Sequence, residues 1–169
     1  MFVLVRHAHA GDRRNWPYSD RDRPLSRRGW RQSFTLSARL GDVPVHRLVS
    51  SPYRRCLQTL EPLGERVELP VLRNPLLAPD GDPAALEDLL RQPAAEGAVL
   101  CTHGELLLGL LQRWDRDGAV RLPEERLALL RAGDRGATEK GAAWLVDERD
   151  GLRSATYLPA AEGELVTAR

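Results

Sequence analysis

The chain has 169 residues, of which 42% are hydrophobic and 29% are charged, and its formal net charge is +1. This length fits one domain with a full core, and the balanced charge argues against nucleic acid or an anionic membrane surface as a partner. No apolar run is long enough to span a membrane, and no basic segment precedes the first apolar run at Phe2, so we expect a cytoplasmic protein without a signal peptide. We predict one domain over residues 1–158 and a loose C-terminal tail over 159–169.

The first half of the chain alternates apolar runs with amphipathic segments. In chain order it predicts a buried strand over 2–6, a polar loop over 12–23, a helix capped by Ser26 and stopped by Gly41, a strand over 47–51, a helix with Pro52 in its first turn, and a strand over 67–72.

The second half continues this alternation and ends in a hairpin. It predicts a loop over 75–83, a helix over 84–91, a central strand over 98–102, a helix over 104–114, a more exposed helix over 122–132, and strands over 142–148 and 152–158 joined by Asp150-Gly151. Alternating strands and helices predict a three-layer α/β/α sandwich, whose sheet is mostly parallel with an antiparallel edge hairpin.

Polar residues that suit phosphate chemistry stand where three predicted strands end. Arg6-His7 follows the first strand, the segment 50–59 follows the second, and Thr102-His103-Gly104 follows the central one. Parallel α/β sheets bind ligands at the carboxyl ends of their strands, and helix N-termini there favour anions. The three segments therefore predict one anion site at this edge of the sheet.

The same segments resemble three motifs of the histidine phosphatase superfamily, the relatives of cofactor-dependent phosphoglycerate mutase. The matching residues, in the order of the family, are Arg6-His7-Ala8, Ser50-Ser51-Pro52 with Arg55 and Gln58-Thr59, and Thr102-His103-Gly104. The short length, Arg23-Pro24-Leu25-Ser26 and Pro79-Asp80-Gly81-Asp82 resemble the small SixA-like phosphohistidine phosphatases. Residues 140–144 also resemble the C-terminal phosphatase domain of actinobacterial Nudix fusion proteins.

The resemblance implies specific roles for four residues. It makes His7 the nucleophile and makes Arg6, Arg55 and His103 the groups that hold the phosphate, with His103 also catalytic. Arg54 competes with Arg55 by sequence alone, and we choose Arg55 because the family places its arginine three residues after the proline.

The general acid is where the sequence departs from the larger members of the family, which carry a glutamate after the third strand. Asp80 is the nearest carboxyl group and our predicted acid, with Asp82 second and Glu105 next. The other interpretation of Asp80 is a turn residue before Gly81, which is the ordinary use of aspartate there. Lys140, the single lysine, either reaches a substrate phosphate or caps a neighbouring helix.

These features predict a metal-independent phosphatase that acts through a phosphohistidine intermediate. We expect its partner to be a phosphohistidine protein or a phosphorylated small molecule, and we expect no metal and no other cofactor. Cys56 and Cys101 are predicted to be buried free thiols. Two alternatives remain: a phosphate-binding module without turnover, and a phosphatase partner of a separate nucleotide hydrolase.

Overall fold

The structure is a computed structural model that describes residues 1–162, and over that range it contains one six-stranded sheet in the order β3-β2-β4-β1-β5-β6. The elements are β1 (Phe2–Arg6), α1 (Arg27–Leu40), β2 (Arg47–Ser50), α2 (Arg54–Val67), β3 (Val71–Arg73), α3 (Pro83–Leu90), β4 (Ala98–Thr102), α4 (Gly104–Asp117), α5 (Glu124–Arg131), β5 (Ala143–Arg149) and β6 (Leu152–Leu158).

The sheet has the predicted mixture of strand directions. Strand β4 runs parallel to β1 and β2, β2 runs parallel to β3, and β5 pairs antiparallel with both β1 and β6. The β5–β6 hairpin turns at Asp150-Gly151, where both residues have positive φ, at 54° and 76°. The prediction of an α/β sandwich with an antiparallel edge hairpin is therefore confirmed.

Helices cover both faces of the sheet and bury its two central strands. Every residue of β1 and β4 is buried. Helices α1 and α2 contribute to the core on one face through Leu36, Leu40, Leu60 and Leu63. Helices α3, α4 and α5 contribute to the core on the other face, where Trp114 and Trp144 are the largest fully buried side chains. The carboxyl ends of the central strands are therefore held rigidly at one edge.

The N-terminus of α1 packs directly against the chain that follows β1. Ser26 caps this helix by accepting a hydrogen bond from the Gly29 amide, as the sequence predicts. A Cβ atom at Gly29 would lie 2.0 Å from the His9 carbonyl oxygen, a distance that no side chain tolerates. The absence of a side chain at Gly29 thus allows α1 to support the loop after the first motif.

Two predicted boundaries are wrong around α2. Strand β3 begins at Val71 and not at residue 67, because α2 continues through Val67 and ends where Glu68 adopts a left-handed conformation with φ 56°. Pro52 precedes the helix instead of lying in its first turn, since α2 begins at Arg54 after an extended Tyr53. Helix α4 also extends past residue 114 and ends at Gly118, which has φ 62°.

Two residues of the predicted tail, Pro159 and Glu162, contact α1. The carbonyl of Pro159 accepts a 2.6 Å hydrogen bond from Arg39, and the Glu162 carboxylate lies 2.5 Å from the Arg28 Nε atom. Residues 163–169 of that predicted tail lie outside the described residues. Within residues 1–162 no helix combines the length and the apolar character that crossing a membrane requires.

The close contact at Gly29 predicts that Gly29→Ala lowers the free energy of unfolding by about 2–3 kcal/mol, because α1 must shift away from the His9 carbonyl. Gly41→Ala is the matched control at the other end of α1, where the nearest atoms belong to the flexible Arg66 side chain. Urea unfolding of both variants tests this expectation. Equal stability of the two variants would contradict it.

Candidate active site

His7 lies immediately after β1 with one ring nitrogen free to react. Its backbone amide donates a 3.0 Å hydrogen bond to the Thr102 carbonyl, which ties it to the end of β4. Its Nδ1 atom lies 2.8 Å from the Ala8 carbonyl oxygen. A carbonyl oxygen only accepts hydrogen bonds, so Nδ1 carries the proton and Nε2 has the lone pair.

Arg55 directs its guanidinium at that lone pair. The side chain is buried in the first turn of α2, and its Nε–H donates a 3.2 Å hydrogen bond to His7 Nε2. Arg54 is exposed. The structure therefore brings Arg55, and not Arg54, to the predicted nucleophile.

His103 follows β4 and completes the pair of facing imidazoles. Its ring centroid is 5.2 Å from that of His7. Its Nε2 atom is 2.9 Å from the Ser51 hydroxyl, and its Nδ1 atom is 3.4 Å from Arg55 Nη2. Because an arginine N–H can only donate, Nδ1 is the acceptor and Nε2–H donates to Ser51.

Arg6 occupies the space that a side chain at Gly104 would fill. A Cβ atom there would lie 2.6 Å from the Arg6 Cζ atom, so glycine at the start of α4 admits the guanidinium. Arg6 Nη1 donates to the Thr138 carbonyl. Its Nε atom is buried and has no hydrogen-bond partner among residues 1–162. We call the space bounded by Arg6, His7, Arg55 and His103 the phosphate pocket.

Burial and positive charge keep His7 neutral. Burial is the largest cause that lowers the pKa of His7 well below its ordinary value, and the neighbouring His103 and Arg55 lower it further. Burial also lowers the pKa of Arg6. A neutral imidazole beside arginine N–H donors is the arrangement that nucleophilic attack on a phosphate requires.

Asp20 is a site residue that the sequence analysis missed. It lies in a short 3-10 helix over Asp20–Asp22, where its carboxylate accepts hydrogen bonds from Arg55 at 3.0 Å and from Arg23 at 2.9 Å. Burial opposes ionisation of Asp20, but the hydrogen bond from Arg23 and the charge of Arg55 outweigh it and lower its pKa. The three-residue spacing to Arg23 was the available signal, and it was concealed in a run of alternating charges.

The three candidate acids have different surroundings. Asp80 lies in an exposed turn, and none of the hydrogen bonds or ion pairs among residues 1–162 joins it to the phosphate pocket. Asp82 caps α3 by accepting a 2.9 Å hydrogen bond from the Ala84 amide. Glu105 lies in the first turn of α4, 3.6 Å from Arg135, and its charge offsets part of the lowering of the Arg6 pKa that burial causes.

The two thiols of the chain lie in the core, one of them beside the phosphate pocket. Cys56 and Cys101 are free and buried, as predicted, and Cys56 Sγ lies 3.5 Å from His103 Nε2. Residues 1–162 contain no group of three or more His, Cys, Asp or Glu side chains that could hold a metal ion. The phosphate pocket brings the His7 imidazole together with the guanidinium group of Arg55.

Comparison with known proteins finds similarity in both sequence and fold. The sequence model of the histidine phosphatase superfamily (branch 1) matches residues 2–78. The structure of the protein histidine phosphatase SixA complexed with tungstate superposes with a TM-score of 0.70 at 23% identity, over 93% of this chain and 95% of that chain. The structure of a mycobacterial glucosyl-3-phosphoglycerate phosphatase in complex with VO3 superposes with a TM-score of 0.60 at 17% identity, over 95% of this chain and 98% of that chain. Residues 2–78 are thus similar in sequence to the histidine phosphatase superfamily, and the fold of the chain is similar to that of both phosphatase structures.

A curated relative is similar over nearly all of the chain. It is an 8-oxo-(d)GTP phosphatase from Mycolicibacterium smegmatis, 34% identical over 162 residues, or 92% of this chain. The match spans 47% of that relative, so the chain covers about half of its length.

The contact between Arg55 and His7 predicts a selective effect of mutation. Arg55→Ala should lower kcat/KM for p-nitrophenyl phosphate at least roughly hundredfold, the usual loss when a donor to a developing oxyanion is removed. Arg54→Ala, its exposed neighbour, should change kcat/KM by less than about twofold. Circular dichroism should show both variants folded. A larger loss in Arg54→Ala than in Arg55→Ala would contradict the assignment.

The lowered pKa of His7 predicts that its ring stays neutral as pH falls through 6.5, its ordinary pKa. The ring then takes up a proton only at clearly lower pH, because protonation would add a buried cation beside Arg55. An NMR titration of the His7 ring in the native protein, with the urea-unfolded chain as reference, measures this. Coinciding titration midpoints in the two states would contradict the prediction.

Proposed function

We propose that the chain is a metal-independent phosphatase that transfers a phosphoryl group to His7 and then to water. One observation carries the proposal: the unprotonated Nε2 atom of buried His7 faces the Arg55 Nε–H at 3.2 Å. A second observation supports the proposal. The buried Arg6 Nε donor lacks a hydrogen-bond partner among the described residues, and a phosphate oxygen would supply one.

The proposed reaction has two displacements at phosphorus. In the first, the His7 Nε2–P bond forms while the bond from phosphorus to the leaving group breaks, and the leaving group keeps the electron pair. In the second, water attacks phosphorus, the P–N bond breaks, and inorganic phosphate leaves a neutral His7. Arg6 and Arg55 stabilise the charge on the phosphoryl oxygens in both steps, and we propose that His103 joins them when a bound phosphate takes the place of Arg55 at Nδ1 and that atom is protonated.

The leaving group decides how much an acid contributes. No carboxylate hydrogen-bonds to His7 or His103 among residues 1–162. We therefore propose substrates whose leaving groups depart without a strong acid, and phosphohistidine on a protein is one, because imidazole protonates readily. Asp80 remains our proposed acid for small phosphomonoesters, and Glu105 is the alternative whose charge already acts on Arg6.

A second candidate substrate class is nucleoside phosphates. The observation that favours it is the similarity to the 8-oxo-(d)GTP phosphatase, which extends over 92% of this chain. A phosphatase that works beside a separate nucleotide hydrolase is a form of this candidate.

The rival proposal of a phosphate-binding module needs the arginines but gives no reason for an unprotonated His7. The free thiols Cys56 and Cys101 support a proposed location in the cytoplasm.

The proposal predicts that His7 carries the phosphoryl group during turnover. Brief reaction with a ³²P-labelled substrate in EDTA should label the wild type, and the label should be lost in acid, as phosphohistidine is. His7→Ala should abolish label and turnover, whereas His46→Gln, at an exposed position, should retain both. Acid-stable label, label on another residue, or a requirement for added metal would contradict the mechanism.

A further inference from the structure

A second cavity, of about 460 Å³, includes His9, Arg28 and Lys140 in its lining. Gln32, Glu139 and Glu162 complete its polar surface. The mechanism proposed above uses none of these residues. We call this space the second cavity.

Chain segments that line the second cavity are joined directly to residues of the phosphate pocket. His9 follows the nucleophile by two residues, and its amide donates a 2.9 Å hydrogen bond to the Gln32 side chain. On the other side, the Gly141 amide lies 3.2 Å from the His7 carbonyl, and Arg6 Nη1 donates to the Thr138 carbonyl. Lys140 lies between Thr138 and Gly141 in the chain, so these two hydrogen bonds hold its backbone beside the phosphate pocket.

The main charge interactions of Lys140 are with arginines. Burial is the largest cause that lowers the pKa of Lys140. The four largest charge interactions lower it further, and they come from Arg6, Arg23, Arg55 and Arg28. Three of these four belong to the phosphate pocket or its rim. A ligand with negative charge in both cavities would relieve this repulsion, whereas a single phosphate would leave Lys140 beside uncompensated cations.

An oxyanion already fits against the Arg28 side of the cavity. The Glu162 carboxylate lies 2.5 Å from Arg28 Nε and 3.4 Å from Arg31 Nη2. Glu139, the other carboxylate of the lining, accepts a 3.2 Å hydrogen bond from the Tyr157 hydroxyl. A phosphate carries more charge than a carboxylate, and binding at Arg28 requires that it replace Glu162 there.

We propose that Lys140 and Arg28 bind the second phosphate of a phosphoanhydride substrate, such as a nucleoside diphosphate, whose terminal phosphate occupies the phosphate pocket. The proposal rests on the function proposed above and names its substrate class. His7 Nε2 bonds to the terminal phosphorus, the bridging P–O bond breaks, and the nucleoside monophosphate leaves with the electron pair. Lys140 and Arg28 stabilise that anion, so the step needs no proton from an acid. Water then cleaves the P–N bond.

Turnover of two substrates tests the proposal. We compare kcat/KM for GDP with kcat/KM for p-nitrophenyl phosphate, which has one phosphate. The ratio should fall roughly tenfold or more in Lys140→Ala and in Arg28→Ala, as expected when a charged hydrogen bond to an anion is removed. Arg27→Ala removes the same charge from an exposed neighbouring position and should keep the wild-type ratio. An unchanged ratio in both cavity variants would overturn the proposal.

Binding separates this proposal from the proposed catalysis. Calorimetry with inorganic pyrophosphate and inorganic phosphate needs no turnover. The wild type should bind pyrophosphate more tightly than phosphate, and Lys140→Ala should lose most of that difference. Equal affinities in the wild type would overturn the second cavity as a phosphate site. A preference that depends on Lys140, in a protein that hydrolyses neither substrate, would support the cavity and refute the proposed function.

Discussion

The hydrogen bond from the Arg55 Nε–H to the unprotonated Nε2 of His7 is the interaction on which the site depends. An arginine is always charged, so its donor can face the ring only while Nε2 keeps its lone pair. Burial and the neighbouring His103 make protonation of His7 costly, and the Ala8 carbonyl holds the proton on Nδ1. The fold thus maintains a nucleophile by surrounding it with cations.

Concentrating this much positive charge at a sheet edge is destabilising unless other groups offset it. Backbone carbonyls provide much of the compensation: Arg6 donates to Thr138, Arg23 to Ala10, and Arg55 to Asp20. The carboxylate of Asp20 adds a charge shared between Arg23 and Arg55. The Arg6 Nε donor still has no partner within residues 1–162, so the compensation leaves a position that suits an anion.

Local sequence patterns were sufficient to predict most of the fold, and the three motifs were sufficient to predict the residues of the phosphate pocket. Buried apolar runs predicted β1 and β4, and Asp150-Gly151 predicted the hairpin, because these signals depend on adjacent residues. The end of α2 was mispredicted, since the residue types around the exposed Glu68 carry no signal for its left-handed conformation. Asp20 was missed for a similar reason. Its partner Arg55 is distant in the sequence, and only the folded chain brings the two side chains together.

The central claim is that Nε2 of His7 is the atom that receives the phosphoryl group, and the structure of the protein with bound orthovanadate tests it most directly. The account predicts vanadium at bonding distance from His7 Nε2. Its oxygens should accept hydrogen bonds from Arg6 Nε and from Arg55, whose bond to His7 is then broken. Vanadate bound to another side chain, or bound while the Arg55–His7 hydrogen bond stays intact, would contradict the account.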